Sequence, residues 1–294
     1  LKLLLSHTSG IVDATATNVK SVEDLQKHFS NDSAYTKNKP GAKYTYNNFA
    51  YGVIGTICEI VTNKSVSTLA KEFFFNPMGI SATFAPSQLN SSEMATLYWT
   101  NDSVGRTISA QQNTVTFTDV PGKSMWVYPG GLTISAIDFA KILTLFMNGG
   151  SYNGKQLLSQ NSINTMQTVQ IIRPDSGAGQ CLPMVKYNGL YGESYLFYHT
   201  GSAYGVYSLY AYNPDTKTGI VVVTTGATNG KDGNGIPGQE LRCHLYQRRQ
   251  GGIRQERQMD QCGLQAYTGA GCHHSERYPA VRGSALSGCQ GGAD

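Results

Sequence analysis

The sequence predicts an α+β protein in which helices are grouped apart from an antiparallel sheet. Apolar residues recur at three- and four-residue steps in the segments 50–61 and 139–146, as they do along one face of an amphipathic helix. The region 190–225 is instead rich in aromatic and β-branched residues and contains a turn cluster at 213–219, a pattern typical of paired strands. Helices that segregate from strands in this way indicate an α+β arrangement.

The first amphipathic segment predicts a helix that begins near Asn47 or Asn48, either of which could cap its first turn. Its predicted buried face consists of Ala50, Val53, Ile54, Ile57, Cys58 and Val61. Upstream, the apolar run Leu1–Leu5 predicts the last turn of a helix that ends at the polar residues which follow.

The second amphipathic segment predicts a helix that begins at Ser135 and ends at 148–150. Ser135 and Asp138 have the spacing of a capping box, and the sequence Asn148-Gly149-Gly150 is typical of a helix end. Its predicted buried stripe is Phe139, Ile142, Leu143 and Phe146. A shorter helix is expected over about 159–167, and the region 85–128 predicts only loops and possible strands.

The predicted sheet contains a hairpin. Residues 195–198 lead into His199-Thr200-Gly201, and residues 205–212 form the next expected strand. After the turn cluster, Ile220–Thr225 predicts a buried strand because it is an uninterrupted apolar and β-branched run.

Composition excludes several classes of function. The net charge of +4 over 294 residues is small and forms no basic stripe, which argues against nucleic-acid binding. No apolar run approaches the roughly 20 residues that a membrane span needs. The oligomeric state cannot be read from these features.

A change in composition predicts a domain boundary near Pro237. Residues 1–237 contain all fourteen lysines and two of the nine arginines, whereas residues 238–294 contain seven arginines and four of the six cysteines. We interpret 1–237 as one domain and 238–294 as an atypical tail, either disordered or out of frame, because its helical and strand periodicity is weak.

The tail contains Cys272-His273-His274, with Cys262 and Cys289 nearby. Structural zinc sites usually show paired Cys-x₂₋₄-Cys and His-x₃₋₅-His spacings, and neither occurs here. The sequence therefore predicts no metal site and no cofactor.

Two short segments carry the candidate chemistry: Tyr46-Asn47-Asn48 and His199-Thr200-Gly201. Both suit acyl transfer to a serine, yet no serine stands three residues before any lysine and no Gly-x-Ser-x-Gly elbow occurs. Simpler roles also exist: amphipathic packing for Tyr46, a helix cap for Asn48 and a hydrogen-bonded sheet position for His199. His7 and Ser9 could form a nucleophile pair, but we expect them to close a helix end and fix a turn.

Four ordered signatures resemble those of the serine β-lactamase-related family, which joins class C β-lactamases, D-alanyl-D-alanine carboxypeptidases and related esterases. They are Leu3-Leu4-Leu5-Ser6-His7-Thr8-Ser9-Gly10, Pro40-Gly41 with Tyr44-Thr45-Tyr46-Asn47-Asn48, Gly130-Gly131-Leu132 with Asp138-Phe139-Ala140, and His199-Thr200-Gly201. The resemblance covers roughly 1–228. It implies an antiparallel sheet flanked by helices with a mainly helical subdomain, here incomplete at both ends, since the family's Ser-x-x-Lys lies upstream of Leu1.

The resemblance also implies roles for six residues. Tyr46 is the general base, Asn48 binds the substrate amide or carbonyl, and His199 tunes the proton network. His199 and Thr200 line the strand edge along which the acyl chain lies, Gly201 lets that edge approach the substrate closely, and the N–H of Ser202 supplies half of an oxyanion hole.

We therefore expect a serine hydrolase fragment that acts on an ester or amide, inactive as written, with a small molecule or peptide as its substrate. Esterase, peptidase and β-lactamase activities all remain open, with the histidine form of the third motif favouring the first two. The alternative is a non-catalytic peptide- or peptidoglycan-binding module. The resemblance further implies export to the periplasm or the extracellular space.

Overall fold

Backbone pairing in the second half of the chain produces a seven-stranded sheet. The computed structural model describes residues 1–15, 19, 21–99, 101, 103–114, 117–189, 193–203, 205–226 and 264–270. The sheet order is β13-β12-β11-β10-β9-β8-β7, and three two-stranded pairs lie outside it. The strands are β1 (Ala82–Thr83), β2 (Leu97–Tyr98), β3 (Val104–Arg106), β4 (Thr133–Ile134), β5 (Ser151–Tyr152), β6 (Lys155–Gln156), β7 (Ile171–Ile172), β8 (Gly179–Gln180), β9 (Val185–Asn188), β10 (Tyr195–Ala203), β11 (Val206–Asn213), β12 (Thr218–Thr225) and β13 (Leu264–Ala270).

Seven of the eight α-helices in the described part of the chain lie within residues 1–147, and the last of these seven packs on one face of the sheet. The eight are α1 (Lys2–Leu5), α2 (Val22–Phe29), α3 (Asn48–Thr62), α4 (Val66–Ala70), α5 (Asn76–Met78), α6 (Ile108–Thr114), α7 (Ala136–Met147) and α8 (Gln160–Gln167). A π-helical turn, Lys71–Phe75, joins α4 to α5. The α+β class predicted from the sequence is confirmed, although α2, α4, α5 and α6 were not predicted.

The predicted hairpin is confirmed as β11 and β12, which pair antiparallel from Val206↔Thr225 to Asn213↔Thr218. Ile220 and Val221 at its centre are buried. β13 pairs parallel with β12 and lies within the tail of atypical composition, whose weak periodicity did not predict a strand. The rest of the 238–294 segment lies outside the described residues.

Helix α7 covers the sheet. Its Ser135 cap is confirmed, because the Ser135 hydroxyl oxygen accepts the N–H of Asp138 at 3.0 Å. The Asp138 carboxylate accepts the N–H of Ser81 at 3.1 Å, so it ties the helix to the β1 region. Leu143 of the predicted stripe is buried. The core against the sheet also contains Ala136, Ala140 and Met147 of this helix together with Cys181, Met184, Phe197, Tyr212 and Val221, with Phe139 and Phe146 partly buried against it.

The predicted buried face of α3 is partly wrong. Ala50 and Val53 are buried as expected, but Ile57 is 41% exposed and Val61 is 79% exposed. The face that packs instead carries Gly52, Gly55, Thr56 and Glu59.

Glycine allows this rotation of the helix. A Cβ at Gly52 would lie 2.8 Å from the Met125 side chain, and one at Gly55 would overlap the ring of Tyr128. The buried Glu59 carboxylate accepts the N–H of Val66 and the N–H of Gly122, and it also accepts the Tyr128 hydroxyl. Glu59 can therefore be buried in the packed face of α3, because its carboxylate oxygens have hydrogen-bond partners.

Candidate active site

Tyr46 and Asn48 lie side by side where α3 begins. The Tyr46 hydroxyl donates to the Asn48 side-chain oxygen at 3.2 Å. Tyr46 is 49% exposed, so its phenol is open to a ligand. Between them, Asn47 is buried and caps the helix by accepting the N–H of Ala50 at 2.7 Å. The capping role thus belongs to Asn47, and Asn48 remains available for binding.

The ring of His7 packs against the ring of Tyr46, a contact that the sequence did not predict. Its centroid lies 4.5 Å from that of Tyr46 and 5.2 Å from that of Tyr51. The residue is buried and has a φ of 56° after α1, the left-handed conformation that ends a helix. Its Nδ1 accepts the N–H of Asn47 at 3.1 Å.

The expectation that His7 and Ser9 are structural is confirmed in part by these contacts. The Ser9 hydroxyl oxygen accepts the N–H of Ile11 at 3.4 Å, as in a serine turn. His7 closes α1, and its Nδ1 is occupied by a backbone donor, so it does not activate Ser9 through that nitrogen. The His7 ring nevertheless belongs to the site.

The second predicted segment lies on β10. His199 is half-buried, and its ring stacks at 6.4 Å from that of Tyr210 on β11. Its Nδ1 lies 2.7 Å from the carbonyl oxygen of Thr200. A carbonyl accepts, so this contact places the proton on Nδ1 and leaves Nε2 as an acceptor when the ring is neutral.

The edge of β10 opens at this point. β9 pairs with β10 only from Tyr195↔Asn188 to Tyr198↔Val185, whereas pairing with β11 continues to Ala203↔Val206. Among the described strands, the β9 side of residues 199–203 therefore has no partner. Gly201 and Ser202 are exposed on this edge and Thr200 is half-buried. The structure thus gives these residues the strand-edge position that was predicted.

Tyr46 and His199 belong to one electrostatic cluster. His7 packs against Tyr46, and the pKa of His7 is lowered to about 4 by burial and then by the charges of His199 and Arg173. Burial also lowers the pKa of His199, with Arg173 acting in the same direction. Both imidazoles are therefore neutral near pH 7. The charge of His199 is thus one of the causes that lower the pKa of His7, whose ring packs against Tyr46.

Arg173 is the second site residue that sequence reasoning missed. It follows β7, and its Cζ lies 4.9 Å from the centroid of the Tyr44 ring. One of its terminal nitrogens pairs with Asp175 at 3.2 Å, and its buried Nε has no hydrogen-bond partner among the described residues. The only signal in the sequence was its rarity, since Arg106 and Arg173 are the two arginines before Pro237.

The charges around Tyr46 oppose each other. Burial raises the pKa of its phenol, Asp13 raises it further, and Arg173 lowers it. Asp13 is fixed nearby because its carboxylate accepts the N–H of Phe49 at 3.1 Å. Burial also raises the pKa of Tyr44 to about 12, and the Tyr44 hydroxyl has no partner among the described residues.

No cluster of three or more His, Cys, Asp or Glu side chains suited to a metal ion occurs among the described residues. Cys262, Cys272, His273, His274 and Cys289 lie outside them. None of the helices in the described part of the chain combines the length and apolar character that crossing a bilayer requires.

Comparison with known proteins identifies the family. A family model described as Beta-lactamase matches residues 1–241. The chain belongs to the beta-lactamase family. This is a family of serine hydrolases related to class C β-lactamases and penicillin-binding proteins, as the sequence motifs predicted. The match extends past Pro237, and the domain boundary there stays a prediction.

Relatives in sequence and structure are distant. Protein flp of Staphylococcus aureus (strain N315) is 22% identical over 231 residues, which cover 76% of this chain and 42% of that protein. The chain thus spans less than half the length of the curated relatives it matches. The structure of the octameric penicillin-binding protein homologue from Pyrococcus abyssi has a TM-score of 0.54 at 23% identity, covering 72% of this chain and 48% of that one. A β-lactamase/D-alanine carboxypeptidase from Pseudomonas syringae has a TM-score of 0.53 at 17% identity, covering 72% and 62%. These structures share the β-lactamase-like fold with this chain.

Proposed function

We propose that this protein is the base-bearing and substrate-binding part of a serine hydrolase that cleaves an ester or amide through an acyl-enzyme. The observation that carries the proposal is the hydrogen-bonded pair of Tyr46 and Asn48, packed on the buried ring of His7, in a chain whose strand β10 has an open edge from His199 onward. A phenol, an amide and neutral imidazoles beside a free backbone edge are the groups that acyl transfer requires.

Tyr46 is the general base. In the ionised form its phenolate takes the proton of an attacking serine hydroxyl, and the serine oxygen bonds to the carbonyl carbon. The bond from that carbon to the leaving group then breaks, and the phenol gives its proton to the leaving group. In the second half-reaction the phenolate takes a proton from water, the water oxygen bonds to the acyl carbon, and the acyl–serine bond breaks as the phenol returns the proton to the serine oxygen. Asn48 holds the phenol through the 3.2 Å hydrogen bond and presents its amide N–H groups to the substrate carbonyl.

The open edge of β10 receives the acyl chain. Thr200 and Gly201 lie on this edge, and Gly201 lets the substrate approach the backbone because it has no side chain. The N–H of Ser202 serves as one oxyanion-hole donor. His199, neutral and hydrogen-bonded to a backbone carbonyl, accepts protons at Nε2 and so adjusts the network around Tyr46.

No serine of this chain is assigned as the nucleophile. No serine in the 294 residues has the Ser-x-x-Lys spacing, and the hydroxyls of Ser6 and Ser9 are engaged with Thr8 and with a backbone N–H. We propose that the polypeptide as printed forms no acyl-enzyme. Incubation with a fluorescent penicillin and with a chromogenic ester should give no labelled band and no rate above background. A stoichiometric acyl-protein seen by intact mass spectrometry would refute this.

The coding sequence ahead of Leu1 distinguishes hydrolase from binding module. A Ser-x-x-Lys pair within about one hundred residues, a span set by the size of a single domain, supports the hydrolase. Its absence favours the peptide- or peptidoglycan-binding alternative, which the missing Ser-x-x-Lys in the printed chain makes the second candidate.

In a protein that carries the pair, Tyr46→Phe should lower kcat/KM by about 10²–10⁴ because it removes the base. Tyr35→Phe is the matched control, since Tyr35 is 47% exposed and its hydroxyl donates to the Phe29 carbonyl away from the site. Equal activities for the two variants would contradict the assignment of Tyr46. Comparison of a penicillin, a D-alanyl-D-alanine peptide and a small ester in the same assay assigns the substrate class.

A further inference from the structure

We propose that Arg173 is a positioning residue for this site: the turn after β7 holds its guanidinium over Tyr44, where it supplies the fixed positive charge of the tyrosine–histidine cluster. The cluster consists of His7, Tyr44, Tyr46, Tyr51, Tyr198 and His199. The role in catalysis rests on the proposed function, but the electrostatic role does not.

The geometry confines the guanidinium to this place. The backbone N–H of Arg173 donates to the Ala178 carbonyl at 2.8 Å, and its carbonyl accepts the N–H of Gly177 at 2.9 Å, so both ends of the turn are fixed. The side chain is 21% exposed and covers the Tyr44 ring at 4.9 Å. A cation over an aromatic face is attracted by the ring quadrupole, and partial burial strengthens this contact.

The guanidinium is also incompletely neutralised. Asp175 contacts one terminal nitrogen at 3.2 Å, but the Asp175 side chain is 59% exposed and its charge is therefore screened by water. The buried Nε has no partner among the described residues. Much of the positive charge of Arg173 therefore acts toward the interior of the cluster.

The site needs such a charge because its histidines do not provide one. The pKa values of His7 and His199 are both lowered, first by burial, so neither ring is a cation near pH 7. A phenol acts as a base only when its phenolate is stabilised, and a nearby cation has that effect. Arg173 lies over the Tyr44 ring, whose centroid is 5.8 Å from that of His7, and the His7 ring lies 4.5 Å from that of Tyr46. Burial raises the pKa values of Tyr44, Tyr46 and Tyr198, and the positive charge of Arg173 opposes this rise in all three.

The groups that face Tyr46 come from several elements. His7 comes from the end of α1, Tyr51 from α3, and Asp13 from the loop that caps α3. Of the charged groups that act on its phenol, Asp13 favours the protonated form and Arg173 favours the phenolate. Removing Arg173 should therefore raise the pKa of Tyr46, because the negative charge of Asp13 would then act on the phenol without an opposing positive charge.

The test is a titration that needs neither substrate nor turnover. The intact 294-residue protein is labelled with ¹³Cζ-tyrosine and ¹³Cε1-histidine. Tyr44→Phe, Tyr46→Phe, His7→Asn and His199→Asn assign the four signals. In Arg173→Gln the titration midpoints of Tyr44, Tyr46, His7 and His199 should all shift to higher pH, because the nearby positive charge that lowers the pKa of each group has been removed. Arg173→Lys, which keeps the positive charge, should return the four midpoints most of the way to their wild-type values.

Lys186→Gln is the matched control. The Lys186 ammonium lies 4.1 Å from the centroid of the Tyr195 ring, so this variant removes a comparable cation–ring contact outside the cluster. Its stability loss should resemble that of Arg173→Gln without any shift of the four midpoints. Unchanged midpoints in a folded Arg173→Gln protein would overturn the proposal.

A second variant covers the case in which Arg173→Gln does not fold. Asp175→Asn leaves the guanidinium and removes a charge that raises the pKa of Tyr44. The Tyr44 midpoint should then fall, and an unchanged midpoint would show that the charges of this turn do not reach the ring. Because none of these titrations requires hydrolysis, loss of the proposed function and loss of this inference give different results.

Discussion

At the residue scale, the burial of His7 couples the site to folding. Its pKa is lowered from 6.5 to about 4 in the folded protein, first by burial. Between these values the unfolded chain binds more protons than the folded one, so stability rises with pH across this window and is constant above it. The effect is on the order of 2–3 kcal/mol between pH 4 and pH 6.5.

We predict that His7→Asn flattens this part of the stability profile. Asparagine tolerates the left-handed φ of 56° and does not titrate, so the backbone is kept and the proton is removed. Urea unfolding at pH values from 4 to 7.5 measures the difference between the two proteins. Profiles that run parallel from pH 4 to pH 6.5 would show that His7 does not carry the linkage.

Single residues of the site were predictable only where a local motif contains them. Tyr46, Asn48 and His199 lie in short contiguous signatures; the structure joins Tyr46 to Asn48 by a hydrogen bond and places His199 where the open edge of β10 begins. His7 and Arg173 take their roles from packing between distant segments, which neither the signature that contains His7 nor the rarity of arginine before Pro237 specifies. His7 was correctly interpreted as the end of a helix, and that interpretation concealed its second role.

At the scale of elements, α3 illustrates the limits of periodicity. Its existence followed from the sequence, and its cap was narrowed to Asn47 or Asn48, but its buried face was not predicted correctly. Hydrophobic spacing places Ile57 and Val61 inside, whereas small residues that admit neighbouring side chains decide which face packs. Gly52 and Gly55 receive Met125 and Tyr128, and the helix turns Glu59 inward.

Glu59 should therefore contribute more to stability than an apolar model of the helix implies. We predict that Glu59→Gln destabilises the protein by about 2–3 kcal/mol, because an amide N–H would replace an oxygen that accepts from Gly122 or Tyr128. Glu72→Gln is the control, since Glu72 is 44% exposed and pairs with Lys64 on the surface. Its expected cost is about 0–1 kcal/mol.

Chemical denaturation of both variants measures these costs. Equal costs for Glu59→Gln and Glu72→Gln would contradict the view that buried hydrogen bonds orient α3. The position of Tyr46 and Asn48 depends on that orientation, because both lie where the helix begins. A small change in substrate binding that accompanies the loss of stability in Glu59→Gln would follow from the same cause.

At the scale of the whole molecule, the site lies where the helical first half meets the sheet. The fold class was predictable, because the switch from helical to strand periodicity is visible along the chain. The contacts at this junction were not predictable, because they join residues such as Tyr44 with Arg173 and Tyr98 with Thr225, which have no sequence pattern in common. The nine-residue β10 extends past β9 at this junction, and its free edge becomes part of the site.

The Tyr98–Thr225 contact offers a test of the junction. The N–H of Tyr98 donates to the Thr225 hydroxyl oxygen at 2.6 Å, and the N–H of Gly226 donates to the Tyr98 carbonyl at 3.0 Å. We predict that Thr225→Val, which keeps the shape of a buried side chain, costs about 1–2 kcal/mol because the Tyr98 N–H loses its partner.

Thr224→Val, one residue earlier on β12, should be close to neutral, because strand alternation turns its side chain to the opposite face. Hydrogen exchange locates the effect: protection should fall first at Tyr98 and at the facing end of β12. If protection fell equally along all of β11 and β12, Thr225 would stabilise the sheet as a whole. Local loss would instead mean that the helical half contacts the sheet at discrete points, of which Tyr98–Thr225 and Tyr44–Arg173 are two.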